Sequence, residues 1–342
     1  MNLRDSKLLI TGATGSLGKQ LVYECLQRGI RPIAMVRRES NTAYLDSHNI
    51  EKRTADIRNR PEIEAAMKGI DAVIHCVAWV NFRQDKLTQF TGINIIGALD
   101  TYRAAAKAGV KRFVQISSIA AVGGNPRTLG GESYPMNEDW IFNLEHLKIP
   151  YVMTKHAAEV ELRKAAAEGG PELVIMNPST IAAPSRTGDD RGKASKTFAR
   201  RFLPDLPNVV NLVDIRDVAP AILTAVEKGR SGERYLLVGD NIPVRELILK
   251  VAGFLGRRPH LISLPTWFYM SAAHAAVAWN KLTGREKTSF YPDLVRLKEY
   301  DWAFSNAKAR VELGFAPRSL ESTLEDLLSN NFVGTYMKPV KR

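Results

Sequence analysis

Tyr151 and Lys155 stand four residues apart in the segment YVMTK. Four residues make about one helical turn, so phenol and ammonium share a helix face, where a cation lowers a phenol pKa that is normally about 10. Tyr151 so placed is an acid or base usable near neutral pH. Ser117 and Ser118 lie in QISSIAAVG, after a predicted strand and on the sheet edge where the helix of Tyr151 should arrive. Ser118 is the candidate to hydrogen-bond a carbonyl oxygen that gains negative charge during reduction, while Tyr151 supplies the proton. Ser117, or a mere strand-end turn, is the other reading. Asn94 sits in INIIGALDTYRAAAKAG, an apolar-faced helix where an amide is out of place unless it meets water, backbone or ligand. Its task in a site would be to position Lys155 or a relay water; plain surface exposure is the alternative.

A second set of residues would hold what the first set works with. In TGATGSLG, Gly12, Gly15 and Gly18 lie between an apolar strand and an amphipathic helix. The first permits the turn, the second lets a pyrophosphate approach the backbone at the helix N-terminus, and the third lets helix and strand pack closely. Thr14, Ser16 and Leu17 complete the loop as candidate cofactor contacts. An ordinary glycine-rich turn is the competing reading. The second strand ends in AMVRRES, so Arg37 and Arg38 stand where an NAD site usually places an acidic residue. A guanidinium pairs with a 2'-phosphate and stacks on adenine, which predicts NADP(H) rather than NAD(H), against the reading of two solvated arginines. Asp56, in TADIR, is placed to accept from the adenine amino group or, equally, to serve a turn or helix cap.

The elements that must position these groups alternate. Strands are predicted near Lys7 to Ile10, Pro32 to Val36, Ile50 to Arg53, Ala72 to His75, Arg112 to Ile116 and Leu173 to Met176, with helices between. That rhythm demands right-handed crossovers and a parallel sheet covered on both faces, a doubly wound α/β fold with ligands at the carboxyl ends of the strands. The Gly/Pro-rich segment before Tyr151 is predicted to wrap the substrate pocket. After Pro178 the chain leaves the sheet. A strand at Val209 to Val213, a helix after Asp217, a strand at Arg234 to Val238 and then mostly helix are expected. The division is a dinucleotide domain over 1–184 and a substrate lobe over 185–342, with about 205–240 returning to the first domain. The substrate is expected to be set by Gly124 to Pro150, Ser185 to Pro204 and Pro265 to Tyr291.

The chain has 342 residues, 45% apolar and 25% charged, ordinary globular composition with a net charge of +12. Six basic residues between Arg186 and Arg201 meet only Asp189 and Asp190, yet no nucleic-acid module accompanies them, and a small molecule is the expected partner. The start lacks the apolar core of a signal peptide, and Cys25 and Cys76 read as core thiols, so the cytoplasm is expected. No zinc spacing appears among the six histidines; His75 reads as a packed residue and His156 as one pointing away. Residues 265–282 form the most apolar run, slightly short of the roughly 20 residues of a membrane span. It is read as a helix packed on the lobe or across a dimer, with peripheral membrane contact as the rival.

Taken in order, TGATGSLG, ADIR, VIHCVAW, INIIGALD, QISSIAAVG, YVMTKHAAE, MNPSTIAAP, VDIRDVAPAI and SGERYLLVGDN resemble the extended short-chain dehydrogenase/reductase superfamily over nearly the whole chain. The resemblance implies a Rossmann domain with a smaller C-terminal α+β lobe, and a Ser118, Tyr151, Lys155 triad assisted by Asn94. It also places Asp56 and Ile57 near adenine, Val77 and Ala78 along the cofactor, Lys155 on the nicotinamide ribose, and Pro178 and Ser179 on the nicotinamide side. MNPSTI with VRRES is more similar to the dihydroflavonol-reductase, 3-beta-hydroxysteroid-dehydrogenase and hopanoid-associated branch than to nucleotide-sugar epimerases. Val77, Ala98, Ala182 and Ala183 depart from the usual pattern. Asp214, Arg216 and Asp217 match a segment read as architectural, since an Asp before a helix caps free amides. A homodimer through two helices is implied by the resemblance alone. The expected activity is NADP(H)-dependent reduction of a ketone, or oxidation of a secondary alcohol, on a largely apolar molecule. Its rivals are an epimerase or dehydratase with retained NAD and a non-catalytic dinucleotide sensor.

Overall fold

The computed structural model describes residues 1–80, 87–127, 134–184, 194–196, 200–283 and 292–329. Most of the basic stretch from Arg186 lies outside the described residues, as do 128–133 and 284–291 of the two loops expected to shape the pocket. In chain order the strands are β1 (Leu8–Thr11), β2 (Ile33–Val36), β3 (Glu51–Thr54), β4 (Ala72–His75), β5 (Arg112–Ile116), β6 (Asn125–Pro126) and β7 (Glu172–Pro178). They continue as β8 (Thr180–Ala182), β9 (Phe202–Pro204), β10 (Val209–Asp214), β11 (Arg234–Leu237), β12 (Asp240–Pro243), β13 (His260–Ile262) and β14 (Tyr300–Asp301).

Seven of them form one parallel sheet in the order β11-β7-β5-β4-β1-β2-β3. The runs LLIT, IAMV and AVIH of β1, β2 and β4 are buried at every position, as strands covered on both faces must be. The edge strand β3, EKRT, is largely exposed, and its charges discourage pairing with another chain. One apolar layer packs the Ser16–Gln27 and Ile215–Lys228 helices onto one face of the sheet. A second layer packs Ala98–Lys107 and Pro150–Ala167 onto the other. Strand order reverses between β1 and β4, so a crevice opens at the carboxyl ends of that pair. The doubly wound fold expected from the alternation is the fold observed.

Beyond β7 the chain leaves the sheet and returns to it at β11, which pairs with β7. Between and after these strands it builds smaller sheets: β10 between β8 and β12, and β13 beside β9. The expectation of mostly helix after Val238 holds among the described residues, and the short strands β12, β13 and β14 are what it missed. These strands are short and pair with residues distant in sequence, so no local periodicity announces them. The expected helix after Asp217 begins at Ile215, and Asp214 is its cap, accepting from the Arg216 backbone N–H at 2.8 Å. The Arg216 guanidinium grips Asp214 at 2.6 and 2.9 Å and reaches Asp326, in the Leu320–Leu328 helix, at 2.7 Å. This buried pair ties the C-terminal helix to the sheet domain. Arg216→Met should leave the fully buried Asp214 carboxylate short of its partner and cost roughly 3 kcal/mol, read as a lowered urea midpoint at unchanged slope. A midpoint equal to that of the parent chain would show that the tie carries no stability.

Candidate active site

The glycine loop is set by sterics. Gly12 adopts φ +68°, in the left-handed region, and a Cβ there would lie 3.2 Å from the Cys76 backbone. A Cβ on Gly18 would fall 2.2 Å from the Gly12 carbonyl oxygen, so only glycine allows the Ser16–Gln27 helix to start this close to β1. Gly15 is the N-cap, without a side-chain cap bond, and no acidic residue occupies the first turn. An open helix N-terminus with close backbone approach fits a pyrophosphate. Ser16 is exposed there, and Thr14 and Leu17 are half-buried.

Arg37 and Arg38 follow β2 and are exposed, but each faces a carboxylate: Arg37 lies 3.2 Å from Glu39, and Arg38 lies 3.8 Å from Glu62. Glu62 also accepts from the Asp56 backbone N–H at 2.9 Å. The Asp56 carboxylate is held by Arg58 through both its guanidinium and its backbone N–H, and this drives its pKa down to about 2. Of its two readings, the turn is the one the free chain displays. The cap of the next helix is Asn59, and Ile57 is buried beneath. Arg58, Glu39 and Glu62 had not been singled out, because charges after a strand read as solvated surface.

At the carboxyl ends of β4, β5 and β7 lies a cavity of about 670 Å³. Ala78, Ser118, Tyr151, Lys155, Pro178 and Ser179 all line it, whereas Val77 and Asn94 do not. The Ser118 hydroxyl hydrogen-bonds the Tyr151 phenol. Ser117 turns the other way, donating to Glu159 at 2.5 Å, so Ser118 is the serine of the pair that meets Tyr151. The Pro150–Ala167 helix places Tyr151, Lys155 and Glu159 at successive four-residue steps on one face.

Lys155 is buried and donates to the Ile116 carbonyl at 3.1 Å. Burial drives its pKa down to about 8, and the Glu159 carboxylate pulls against that fall. Burial pushes the Tyr151 phenol up, with the Ser118 hydrogen bond opposing. The expected lowering of the phenol by Lys155 is thus corrected: in the free chain the shift is upward, and the group that opposes burial is Ser118, not Lys155. His75, stacked on Phe113 and bonded to Thr11 at 3.0 Å, is driven down to about 3 by burial and stays neutral. Its packing role agrees with the expectation. Cys76 is pushed up to about 12, also by burial. His156 stacks on Phe142 at 3.8 Å, away from the triad.

Asn94 lies in a π-helical turn, Thr91–Gly97. Its amide exchanges hydrogen bonds with the Trp79 backbone at 2.7 and 3.1 Å and donates to Thr154 at 3.1 Å. Of the tasks expected of it, a bond to Lys155 itself is not made, and the partner on that helix is Thr154; surface exposure is excluded by its burial. Glu159, which had gone unnoticed, is the closer support. Buried itself, it accepts from Asn177 at 2.6 Å and pairs with Arg234 at 3.2 Å. Its only sequence signal was the spacing from Tyr151 and Lys155. Among the described residues, the outer walls of the cavity come from Leu206, Asn208, Val210, Val244, Leu297 and Trp302, not from the three loops expected to form them. The described part of Gly124 to Pro150 instead packs beneath the site, where Glu138 accepts from the Leu236 backbone at 3.0 Å. The Ser179 hydroxyl is buried at the cavity without a partner among the described residues.

Residues 8–238 match the NAD dependent epimerase/dehydratase family. The chain is 31% identical over 327 residues to sterol demethylase protein B of Methylococcus capsulatus, covering 94% of this chain and 97% of that protein. It is 27% identical over 302 residues to ceramide reductase of Caulobacter vibrioides, covering 87% and 86%. The crystal structure of gox2253 superposes with a TM-score of 0.78 at 26% identity, covering 95% and 97%.

With Lys155 held at about 8, its ammonium is charged below that pH and neutral above it. The same depression means that the folding penalty of burying this charge is largest below about 8 and relieved as pH rises toward the ordinary lysine value of about 10.4. NMR titration of the nucleotide-free protein with labelled lysine should show one midpoint near 8, moving lower in Glu159→Gln, which removes the opposing carboxylate. A Lys155 midpoint above 10 in the parent chain, or no movement in the variant, would refute this electrostatic picture.

Proposed function

The chain belongs to the NAD dependent epimerase/dehydratase family, the extended short-chain dehydrogenase/reductases that act on CH–OH and C=O groups, and on that premise we propose an NADP(H)-dependent oxidoreductase. It reduces a ketone, or oxidises a secondary alcohol, on a largely apolar small molecule. The observation that carries this reading is the convergence of Ser118, Tyr151 and Lys155 on one cavity whose walls are mostly apolar.

The Gly12 to Gly18 loop would hold the pyrophosphate, Arg37 and Arg38 the 2'-phosphate, and Pro178 and Ser179 the nicotinamide side. Bound there, the dinucleotide supplies or accepts the hydride. Ser118 and Tyr151 both donate hydrogen bonds toward a carbonyl oxygen at the cavity floor, and Tyr151 passes its proton to that oxygen as charge develops. Lys155, charged below about pH 8, stabilises the phenolate left behind. Because burial raises the phenol, Tyr151 is protonated at neutral pH, the state that reduction requires. Similarity to proteins named for a sterol and a ceramide supports a hydrophobic substrate, as do Leu206, Val210 and Trp302 on the walls. The 2'-phosphate reading is supported by two exposed guanidiniums, though Glu39 and Glu62 must yield them. Thiols that are free at Cys25 and Cys76 suit the cytoplasm.

Tyr151→Phe should lower NADPH-dependent ketone turnover about a thousandfold while leaving nucleotide binding intact. Loss of both together would contradict the role given to Tyr151. In a panel of ketones with and without an anionic group, the apolar members should be the ones reduced; preference for the anionic members would overturn the substrate class.

A further inference from the structure

The helix Thr266–Thr283 has an outer face unlike the rest of the surface. Between Pro265 and Asn280 the sequence holds no Asp, Glu, Lys or Arg. Trp267 and Trp279 are 68% and 67% exposed, Leu282 is 83% exposed, and Phe268 lies between the two tryptophans on the same side. At 100° per residue these positions fall on one broad arc, while Tyr269 and Ala273 face inward to pack on Val295. A helix with an uncharged outer side carrying two exposed indoles is poorly suited to contact water alone.

A small sheet that ends at Ile262, shortly before the helix, exposes apolar side chains of its own. Phe202 and His260 are paired in register, so Phe202, Pro204, His260 and Ile262 share one face of the β9/β13 ribbon, and all four are exposed. At the far end of that ribbon, Arg200 and Arg201 precede β9, and Arg257 and Arg258 precede β13. All four are exposed, and the His260 N–H to Arg201 carbonyl bond of 2.8 Å brings the two pairs side by side. Each ribbon strand spans only about 10 Å, so the guanidiniums and the aromatic face belong to one surface. The acidic residue next to them, Asp205, is held by Arg245 at 3.3 Å.

We propose that this surface docks on an anionic lipid bilayer, the helix lying in the headgroup plane with Trp267, Phe268, Trp279 and Leu282 inserted and the four arginines on lipid phosphates. Charge decides between this occupant and a second copy of the chain. A second copy would offer this surface only the same apolar and cationic groups, with Asp205 already held by Arg245, whereas anionic headgroups complement the arginines. Indoles favour the same interfacial depth. The helix is also one side chain from the cavity: the Lys298 ammonium sits 4.0 Å over the Tyr269 ring and lines the cavity wall. The inner side of the docked helix therefore adjoins the cavity wall.

The test is co-sedimentation of the full chain with vesicles of phosphatidylcholine, with and without phosphatidylglycerol, at low and high salt. Binding to the anionic vesicles alone, weakened by salt, is expected. Arg257→Glu with Arg258→Glu should reduce the partition coefficient at least tenfold, since each arginine near such a surface is worth about fivefold. Trp267→Ser with Trp279→Ser should release the chain while NADPH binding, measured in parallel, is unchanged. The arginine pair lies outside the helix, so it tests the surface even if the tryptophan variant fails to fold. No binding to anionic vesicles, binding indifferent to headgroup charge, or a dimer in sedimentation velocity that the tryptophan variant abolishes would each overturn the proposal.

Discussion

A buried ammonium is the constraint around which the site is organised. Lys155 is 4% exposed, and a charge so placed survives only if neighbouring groups replace the water it has lost. The Ile116 carbonyl accepts from it at the end of β5, and Glu159 supplies the opposing charge one turn along the same helix. Glu159 is anchored in turn by Ser117 just after β5, Asn177 on β7 and Arg234 on β11. One carboxylate thus ties the Pro150–Ala167 helix to residues on or just after three neighbouring strands of the sheet. Ser118 reaches Tyr151 because Ser117 is engaged with this anchor, so the adjacent hydroxyl is left on the cavity side.

The glycine loop obeys a complementary constraint, in which absent atoms matter more than present charges. A Cβ on Gly18 would overlap the Gly12 carbonyl, and one on Gly12 would press on the Cys76 backbone. Cys76 lines the cavity, so the glycine loop and the cavity adjoin through that stretch of backbone after β4. The reversal of strand order at β1 and β4 puts both at the same crevice. Position follows from topology; at the rim, Arg37 and Arg38 are paired with Glu39 and Glu62.

Much of this was legible because its causes are local. Continuous apolar runs such as LLIT and AVIH announce strands buried on both faces, and four-residue spacing puts Tyr151 and Lys155 on one side of a helix. Glu159 stayed hidden because a Glu in a helix ordinarily faces water, and only the assembled sheet shows that Asn177 and Arg234 await it. Spacing reported the cation beside Tyr151 but not the depth of burial, which reverses the direction of the phenol's shift. Asn94 was noticed for the right reason, an amide on an apolar face, yet its partners Trp79 and Thr154 come from segments that sequence proximity does not join. The cavity walls at Leu206, Asn208 and Trp302 depend on the small lobe sheets, whose pairings are nonlocal.

The proposed reaction requires a dissociable NADP(H) beside Tyr151, and the nucleotide that the protein holds is its most direct test. The purified chain is denatured, any released nucleotide is identified, and the native protein is then titrated with NADPH and NADH by fluorescence. The account predicts little nucleotide after purification and tighter, saturable binding of NADPH. Stoichiometric NAD surviving purification would contradict it and point to a hydride that leaves and returns within one turnover.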